Sequence, residues 1–240
     1  MAWFATTAKT PQGLHFGREV QHEDHRGHRK LLLVRHGQTD YNVKHLLPGQ
    51  LPGIPLNAEG QREAEATAQA IQALPLTTIV ASPLERTMQT ANAINAGRGL
   101  TVREESELMD TDYGVFSGQS YDTLDAQNPQ WKRFVTNANF APKGVESFAA
   151  VQKRAVRAAE RWRTAPDAGE WVALVTHADL VKLIIGHYLA IPLGNIPLIN
   201  MDNAAISLLT FHPEIQRAPT LLCFNWTSPA LWLSAAQKQG

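Results

Sequence analysis

"LLLVRHGQTDYN", residues 31–42, decides how this chain is read. Its first residues are apolar without a polar break, the mark of a strand buried on both faces rather than one with a wet side. The run then stops on Arg35 and His36, followed by Gly37. In open parallel sheets, ligands bind outside the carboxyl ends of the strands. Nitrogen-rich side chains at such an end pose a choice for His36 between a packing role and a chemical one.

Further junctions of the same kind lie downstream. "LTTIVA" (76–81) reads as a strand, and "SPLERTMQTANAI" follows it. There Ser82 suits a helix N-cap, Pro83 the first helical position and Glu85 the closing position of a capping box. Arg86 falls in that helix's first turn. "WVALVT" (171–176) reads as another buried strand; it delivers His177, and a helix from about Asp179 to Leu189 follows.

The rest of the pattern agrees. Asn57 caps a helix running to about Leu74, with Ala64, Ala68, Ile71 and Leu74 turned inward. A helix from about Glu146 to Arg163 carries Phe148, Val151, Ala155, Ala159 and Trp162 as its apolar stripe. "AISLLTF" (205–211) and "TLLCFN" (220–225) read as later strands. Strands alternating with helices predict an α/β fold, a three-layer α/β/α sandwich with a mostly parallel central sheet.

If the strands are neighbours, Arg35, His36, Arg86 and His177 meet at one sheet edge. The helix N-terminus near Ser82 adds partial positive charge. Such a pocket suits a small dianion, and phosphate fits best because arginine forks match its oxygens. Each piece alone has a bland reading: a structural histidine, a surface arginine paired with glutamate, a histidine capping a helix. Separate strand-to-helix junctions that all deliver the same chemistry argue for function.

The totals set bounds. The chain has 240 residues, 44% of them hydrophobic, enough for one domain with a sizeable core, placed at residues 30–240. Residues 1–29 read as a polar, flexible extension; His22, His25 and His28 within it read as solvated rather than metal-binding. Twenty-two basic residues balance twenty-two acidic ones, so no global field recruits nucleic acid or an anionic membrane. The best membrane candidate, "LVKLIIGHYLAIPL", is interrupted by Lys182, Gly186, His187 and Pro192. With Cys223 as the one cysteine, no intrachain disulfide forms, and a cytoplasmic home is expected. Oligomeric state has no signature in the sequence.

In order, "VRHGQTDYN", "LPGIPLNAEGQREA", "VASPLERTMQTA" and "LVTHADLVKLII", with the weaker "GVES" and "FNWTSPAL", resemble the histidine phosphatase superfamily, the phosphoglycerate-mutase-like proteins. The resemblance covers roughly residues 30–232. It implies that His36 is the phosphorylated histidine, that Arg35 and Arg86 bind phosphate, that Asn42 touches it, and that His177 is the second active-site histidine. It further implies hydrolysis of a phosphorylated small molecule through a phosphohistidine, with neither metal nor other cofactor. His36 must then attack as a neutral imidazole whose other nitrogen is held by a hydrogen-bond acceptor.

The leaving alkoxide needs a proton. The family pattern places a glutamate two residues after a leucine; here Leu108 frames Asp110, an aspartate. Its side chain is shorter by one C–C bond, about 1.5 Å, and a misplacement of about 1 Å costs on the order of a hundredfold in rate. Asp110 is the expected donor, with Asp112 as its alternative.

Rival readings are a phosphoglycerate mutase and a non-catalytic phosphate-binding module. The compact spacing from Asp110 to His177, 177 − 110 = 67 positions, favours a phosphatase over a mutase. "DTDYG" (110–114) also resembles the nucleophile motif of haloacid-dehalogenase-type phosphatases, but charged "REESEL" precedes it and Gly114 ends it. A cysteine-phosphatase loop would need an arginine where Pro229 stands. Residues 115–146 read as an irregular segment over the pocket that sets substrate choice, with Trp131 and Phe134 as core anchors. Leu46, Leu47 and Leu51 are expected to give the mouth an apolar side.

Overall fold

Uninterrupted apolar runs become the centre of the sheet. The computed structural model describes residues 29–212 and 219–228. Residues 1–28 of the expected extension, with His22, His25 and His28, lie outside the described residues. The strands are β1 (Arg29–Arg35), β2 (Thr78–Ala81), β3 (Val102–Glu104), β4 (Trp171–Thr176), β5 (Ile206–Phe211) and β6 (Thr220–Trp226), in the order β3-β2-β4-β1-β5-β6. From β3 to β1 neighbours run parallel; β5 and β6 add antiparallel pairs. The helices are α1 (Asp40–Val43), α2 (Ala58–Ala70), α3 (Glu85–Asn95), α4 (Tyr121–Gln127), α5 (Pro129–Thr136), α6 (Phe148–Thr164) and α7 (Ala178–Tyr188).

Because side chains alternate across a strand, each central strand feeds both faces. Leu31, Leu33, Val172 and Leu174 pack with Val151, Ala155 and Ala159 of α6 and with Leu180 and Ile184 of α7. Leu32, Val34, Ala173 and Val175 pack on the other side, with Ala91 and Ile94 of α3 and with Ile71 just past α2. Helices thus cover both faces, the three-layer α/β/α arrangement expected, with a mostly parallel sheet. A third cluster, with Leu47, Tyr113, Phe116, Leu124, Trp131 and Phe134, lies outside the two layers. It turns the segment expected to be irregular into α4 and α5, and it buries Trp131 and Phe134 as anchors.

Local readings fare unequally. Asn57 caps α2 by accepting from the Gly60 N–H at 2.9 Å, but the helix ends at Ala70 rather than near Leu74. The capping box at Ser82 does not form. Helix α3 begins at Glu85, its N-cap is Leu84 with no side-chain cap bond, and Pro83 stands before it. Glu85 instead accepts from the Gly53 N–H at 2.7 Å.

Gly37 and Gly60 explain one tight contact beside the strand end. A Cβ built on Gly60 would stand 2.0 Å from the Gln38 carbonyl oxygen, and one on Gly37 would stand 2.4 Å from the Gly60 carbonyl oxygen. The first turn of α2 therefore lies directly against the turn after His36. Gly60→Ala is expected to lower stability by about 1–3 kcal/mol, the cost of overpacking where backbone must give way; thermal melting checks it.

Candidate active site

Registry brings three strand ends together. Arg35 pairs with Thr176, and Ala81 pairs with Val175, so β2, β4 and β1 finish at one edge. Two backbone bonds continue the ladder past the strands: the His36 N–H donates to the Thr176 carbonyl at 3.0 Å, and the Ser82 N–H donates to the Val175 carbonyl at 3.0 Å. The Ala204 N–H holds the His36 carbonyl at 3.0 Å from the other side. His36 and Ser82 are consequently fixed at their backbones before any side chain is considered, and the His177 carbonyl accepts from the Val181 N–H at 3.1 Å.

The rings of His36 and His177 meet edge to face with centroids 5.2 Å apart. His36 Nδ1 lies 2.7 Å from the Gly37 carbonyl oxygen. A carbonyl only accepts, so the proton sits on Nδ1 and the Nε2 lone pair is free. Burial, then the nearby Arg86 and Arg35 guanidiniums, hold the His36 pKa well below the ordinary histidine value. The ring is therefore neutral at physiological pH.

His177 follows the same logic. Its pKa is pushed well down by burial, by Arg86 and by His36. Its Nε2 lies 3.0 Å from Ser82 Oγ. The Leu84 N–H donates to that Oγ at 3.5 Å. When the hydroxyl donates to Nε2, Nδ1 carries the ring proton, the tautomer in which this unpaired nitrogen is a donor. Nδ1 stands 3.6 Å from Asp110 Oδ2, close in charge terms but beyond a hydrogen bond. Although His177 occupies the N-cap position of α7, its side chain makes no cap bond, so capping does not account for it.

Arg86 is completely buried. Its Nη2 donates to the Gly49 carbonyl at 2.8 Å and to Asp110 Oδ2 at 3.2 Å. Arg35 is half-buried and gives Nη1 to the Met201 carbonyl. Four buried side-chain nitrogens lack a partner among the described residues: Arg35 Nε, Arg86 Nε, Arg86 Nη1 and His177 Nδ1. Thr111 Oγ1, beside Asp110, is also unpaired. Native proteins leave few buried donors unmatched. Unpaired nitrogens on two guanidiniums and an imidazole, gathered at one strand edge, suit an anion.

Asp110 is buried beside this cluster, its Oδ1 accepting from the Thr111 N–H at 2.9 Å. Burial raises its pKa from 3.8 to about 6, with Arg86 opposing. Asp112 is spent elsewhere: its Oδ1 accepts from the Gly114 N–H at 2.9 Å. Asn42 is drawn in less directly. Its Oδ1 accepts from the Thr39 N–H at 2.9 Å in the α1 capping box. Asn203 links the two, its Nδ2 standing 3.3 Å from both the His36 carbonyl and Asn42 Oδ1.

Two contributors were not legible in the sequence. Ser82 serves His177 rather than a helix end. Arg154 of α6 clamps the acid-bearing loop: it donates to the carbonyls of Glu107 at 2.8 Å, Met109 at 2.6 Å and Asp110 at 2.8 Å. Glu146 holds it from behind through Arg154 Nε at 2.9 Å and Nη2 at 2.8 Å. The "GVES" stretch was the one available signal for Glu146. Among the described residues no cluster of three or more His, Cys, Asp or Glu is placed to hold a metal ion.

Residues 31–226 match the profile of the histidine phosphatase superfamily, branch 1. The chain belongs to that family. It is 32% identical over 196 residues to the glucosyl-3-phosphoglycerate phosphatase of Mycobacterium tuberculosis, covering 77% of this chain and 86% of the relative. It is 30% identical over 195 residues to the probable phosphoglycerate mutase GpmB of Cronobacter sakazakii, covering 80% and 87%. The solved mycobacterial glucosyl-3-phosphoglycerate phosphatase in complex with VO3 superposes with a TM-score of 0.73 at 31% identity, over 83% of this chain and 100% of that one. The chain is thus a histidine phosphatase, and hydrolysis through a phosphohistidine is consistent with these relatives. Among the described residues no helix is long and apolar enough to cross a membrane.

Proposed function

We propose that His36 Nε2 attacks the phosphorus of a small phosphomonoester in line, that Arg35, Arg86 and His177 Nδ1–H neutralise the equatorial oxygens, and that Asp110 protonates the departing alkoxide. Asn42 offers its side-chain amide as a further phosphate contact. One observation carries this reading: the unpaired donors of Arg35, Arg86 and His177 surround a neutral histidine whose Nδ1 is already committed. Charge that develops on the phosphoryl oxygens is met by donors fixed in advance, which is where most catalytic stabilisation of such transfers arises.

The backbone that carries the shorter acid is held from behind. Arg154 and Gln50, whose Nε2 lies 2.9 Å from the Asp110 carbonyl, fix the backbone that carries the carboxylate. Arg154→Ala is expected to lower kcat for an alkyl phosphate by about ten- to a hundredfold, since a displacement of about 1 Å is enough. The same change should cost p-nitrophenyl phosphate less, because its leaving group needs no proton. Steady-state rates on both esters check this.

Water, rather than a second alcohol, completes the cycle in this reading. Likeness to a probable phosphoglycerate mutase keeps the alternative specific. Feeding 3-phosphoglycerate in EDTA separates the two: phosphate release without 2-phosphoglycerate is expected, and isomer without phosphate would assign a mutase. The lone cysteine, Cys223, is in keeping with a reducing, cytoplasmic setting.

A further inference from the structure

The donors around His36 grip a phosphate but leave the alcohol half of the substrate unassigned. A hollow of about 300 Å³ between α2 and α3, near Glu65, Gln69 and Arg98, lies away from the three strand ends. A second cavity, of about 210 Å³, lies elsewhere, walled by Tyr121, Trp131, Val135 and Phe148 with Asp179 and Lys182 on its polar side. None of Arg35, His36, Arg86, Asp110 or His177 lines it, but it neighbours them, since Asp179 on its wall acts electrostatically on Asp110. Tyr113, three residues past Asp110, lines it, and so does Asp179, two residues past His177. Arg35 is near enough to act electrostatically on both Asp179 and Tyr121.

Aromatic side chains build the apolar walls. Trp131 is buried and its indole N–H donates to Asp125 at 2.6 Å. Tyr121 meets it edge-on with centroids 5.9 Å apart. The polar wall is already compensated. Lys182 Nζ lies 2.7 Å from Asp179 Oδ1, and the Tyr113 hydroxyl donates to Asp179 Oδ2 at 2.8 Å. Burial pushes the Asp179 pKa up, but Lys182 and the Tyr113 hydroxyl together bring it below the usual value. A second anion entering here would meet a carboxylate whose cation is spoken for. An apolar group would displace water from aromatic walls, and a neutral hydroxyl could still donate to Asp179. The volume falls short of the roughly 300–1,000 Å³ typical of drug-sized ligands, so one ring or a short alkyl chain fits.

We propose that this cavity receives the alcohol portion of the substrate and selects an uncharged, ring- or alkyl-bearing phosphomonoester over one that carries a carboxylate. The proposal rests on the phosphatase reading above and names its substrate class.

Benzyl phosphate, glycerol 3-phosphate and 3-phosphoglycerate release primary alcohols, which limits differences in leaving-group chemistry. The expected order of kcat/KM is benzyl phosphate first and 3-phosphoglycerate last. Benzyl phosphate should lead glycerol 3-phosphate by about tenfold, the effect of burying roughly two methylene groups. Val135→Trp fills the cavity and should raise KM for benzyl phosphate more than for glycerol 3-phosphate. Asp179→Asn frees Lys182 and should raise the ratio of 3-phosphoglycerate to benzyl phosphate turnover by about tenfold, the worth of one charged hydrogen bond. The second variant serves where the first fails to fold. His36-dependent phosphate release with 3-phosphoglycerate preferred would overturn the cavity assignment and leave the phosphatase reading standing, as would variants that change all three esters by one factor. No release from these esters or from p-nitrophenyl phosphate would overturn both.

Discussion

His36→Ala should release phosphate from p-nitrophenyl phosphate on the order of 10⁴-fold more slowly, or worse, than the unaltered chain, since losing the nucleophile removes the covalent route altogether. Binding should survive. Arg35, Arg86 and His177 keep their unpaired donors in the variant, so the inhibition constant of inorganic phosphate should change far less than the rate. The imidazole is buried and carries one protein hydrogen bond through its side chain, to Gly37. Its removal opens a small cavity next to β1 and costs some stability, so melting curves accompany the kinetics. A rate loss with a melting point near that of the parent assigns chemistry to His36; equal turnover by both proteins would leave only a phosphate-binding module.

Asp110→Asn should show the second largest effect, and one that depends on the leaving group. General acid catalysis is worth about 10²–10⁴-fold, and that loss is expected for an alkyl phosphate. For p-nitrophenyl phosphate it should shrink to about tenfold or less, because the leaving phenolate is a stable anion. The pH dependence follows from the raised pKa. Asp110 donates only while protonated, so kcat/KM for alkyl esters should fall as pH rises through about 6. The asparagine variant should lack the part of that limb due to the enzyme. His36, with its pKa far below the ordinary value, stays a competent nucleophile across the range.

The same carboxyl also bears on stability, and the sign is opposite to that of an ordinary salt-bridged aspartate. A folded pKa raised from 3.8 to about 6 makes the buried acid favourable below the lower value and progressively unfavourable as pH rises through the upper. At pH 7.5 the penalty is on the order of 2–3 kcal/mol at most. Asparagine resembles the protonated acid, so the variant should melt at a higher temperature than the parent at pH 7.5 while losing activity.

Much of the fold was legible because buried parallel strands carry apolar runs that little else produces. "WVALVT" was placed residue for residue as β4, and the junctions after β1, β2 and β4 led directly to His36, Arg86 and His177. What escaped depends on distance in the chain. Ser82 satisfies every local rule for an N-cap, yet its hydroxyl serves His177, 95 positions away. Arg154 looks like an ordinary charged flank of an amphipathic helix until it meets carbonyls 44, 45 and 47 positions earlier. β3 reads "VRE", too short and too charged to announce a strand, and is held by pairing with β2. Helices α4 and α5 have too few turns to show a period; their apolar residues find each other only in the third cluster. The choice between Asp110 and Asp112 was likewise open in one dimension, and in space only Asp110 faces Arg86 and His177.

The most direct test is to mix the enzyme with a phosphomonoester labelled in its phosphoryl group and to quench within the first turnover. A phosphoenzyme labile to acid, stable to base, and located by peptide mapping at residue 36 is the predicted result. Full turnover with no covalent label at any quench time, or label held on a carboxylate or hydroxyl instead, would contradict a phosphohistidine at this site.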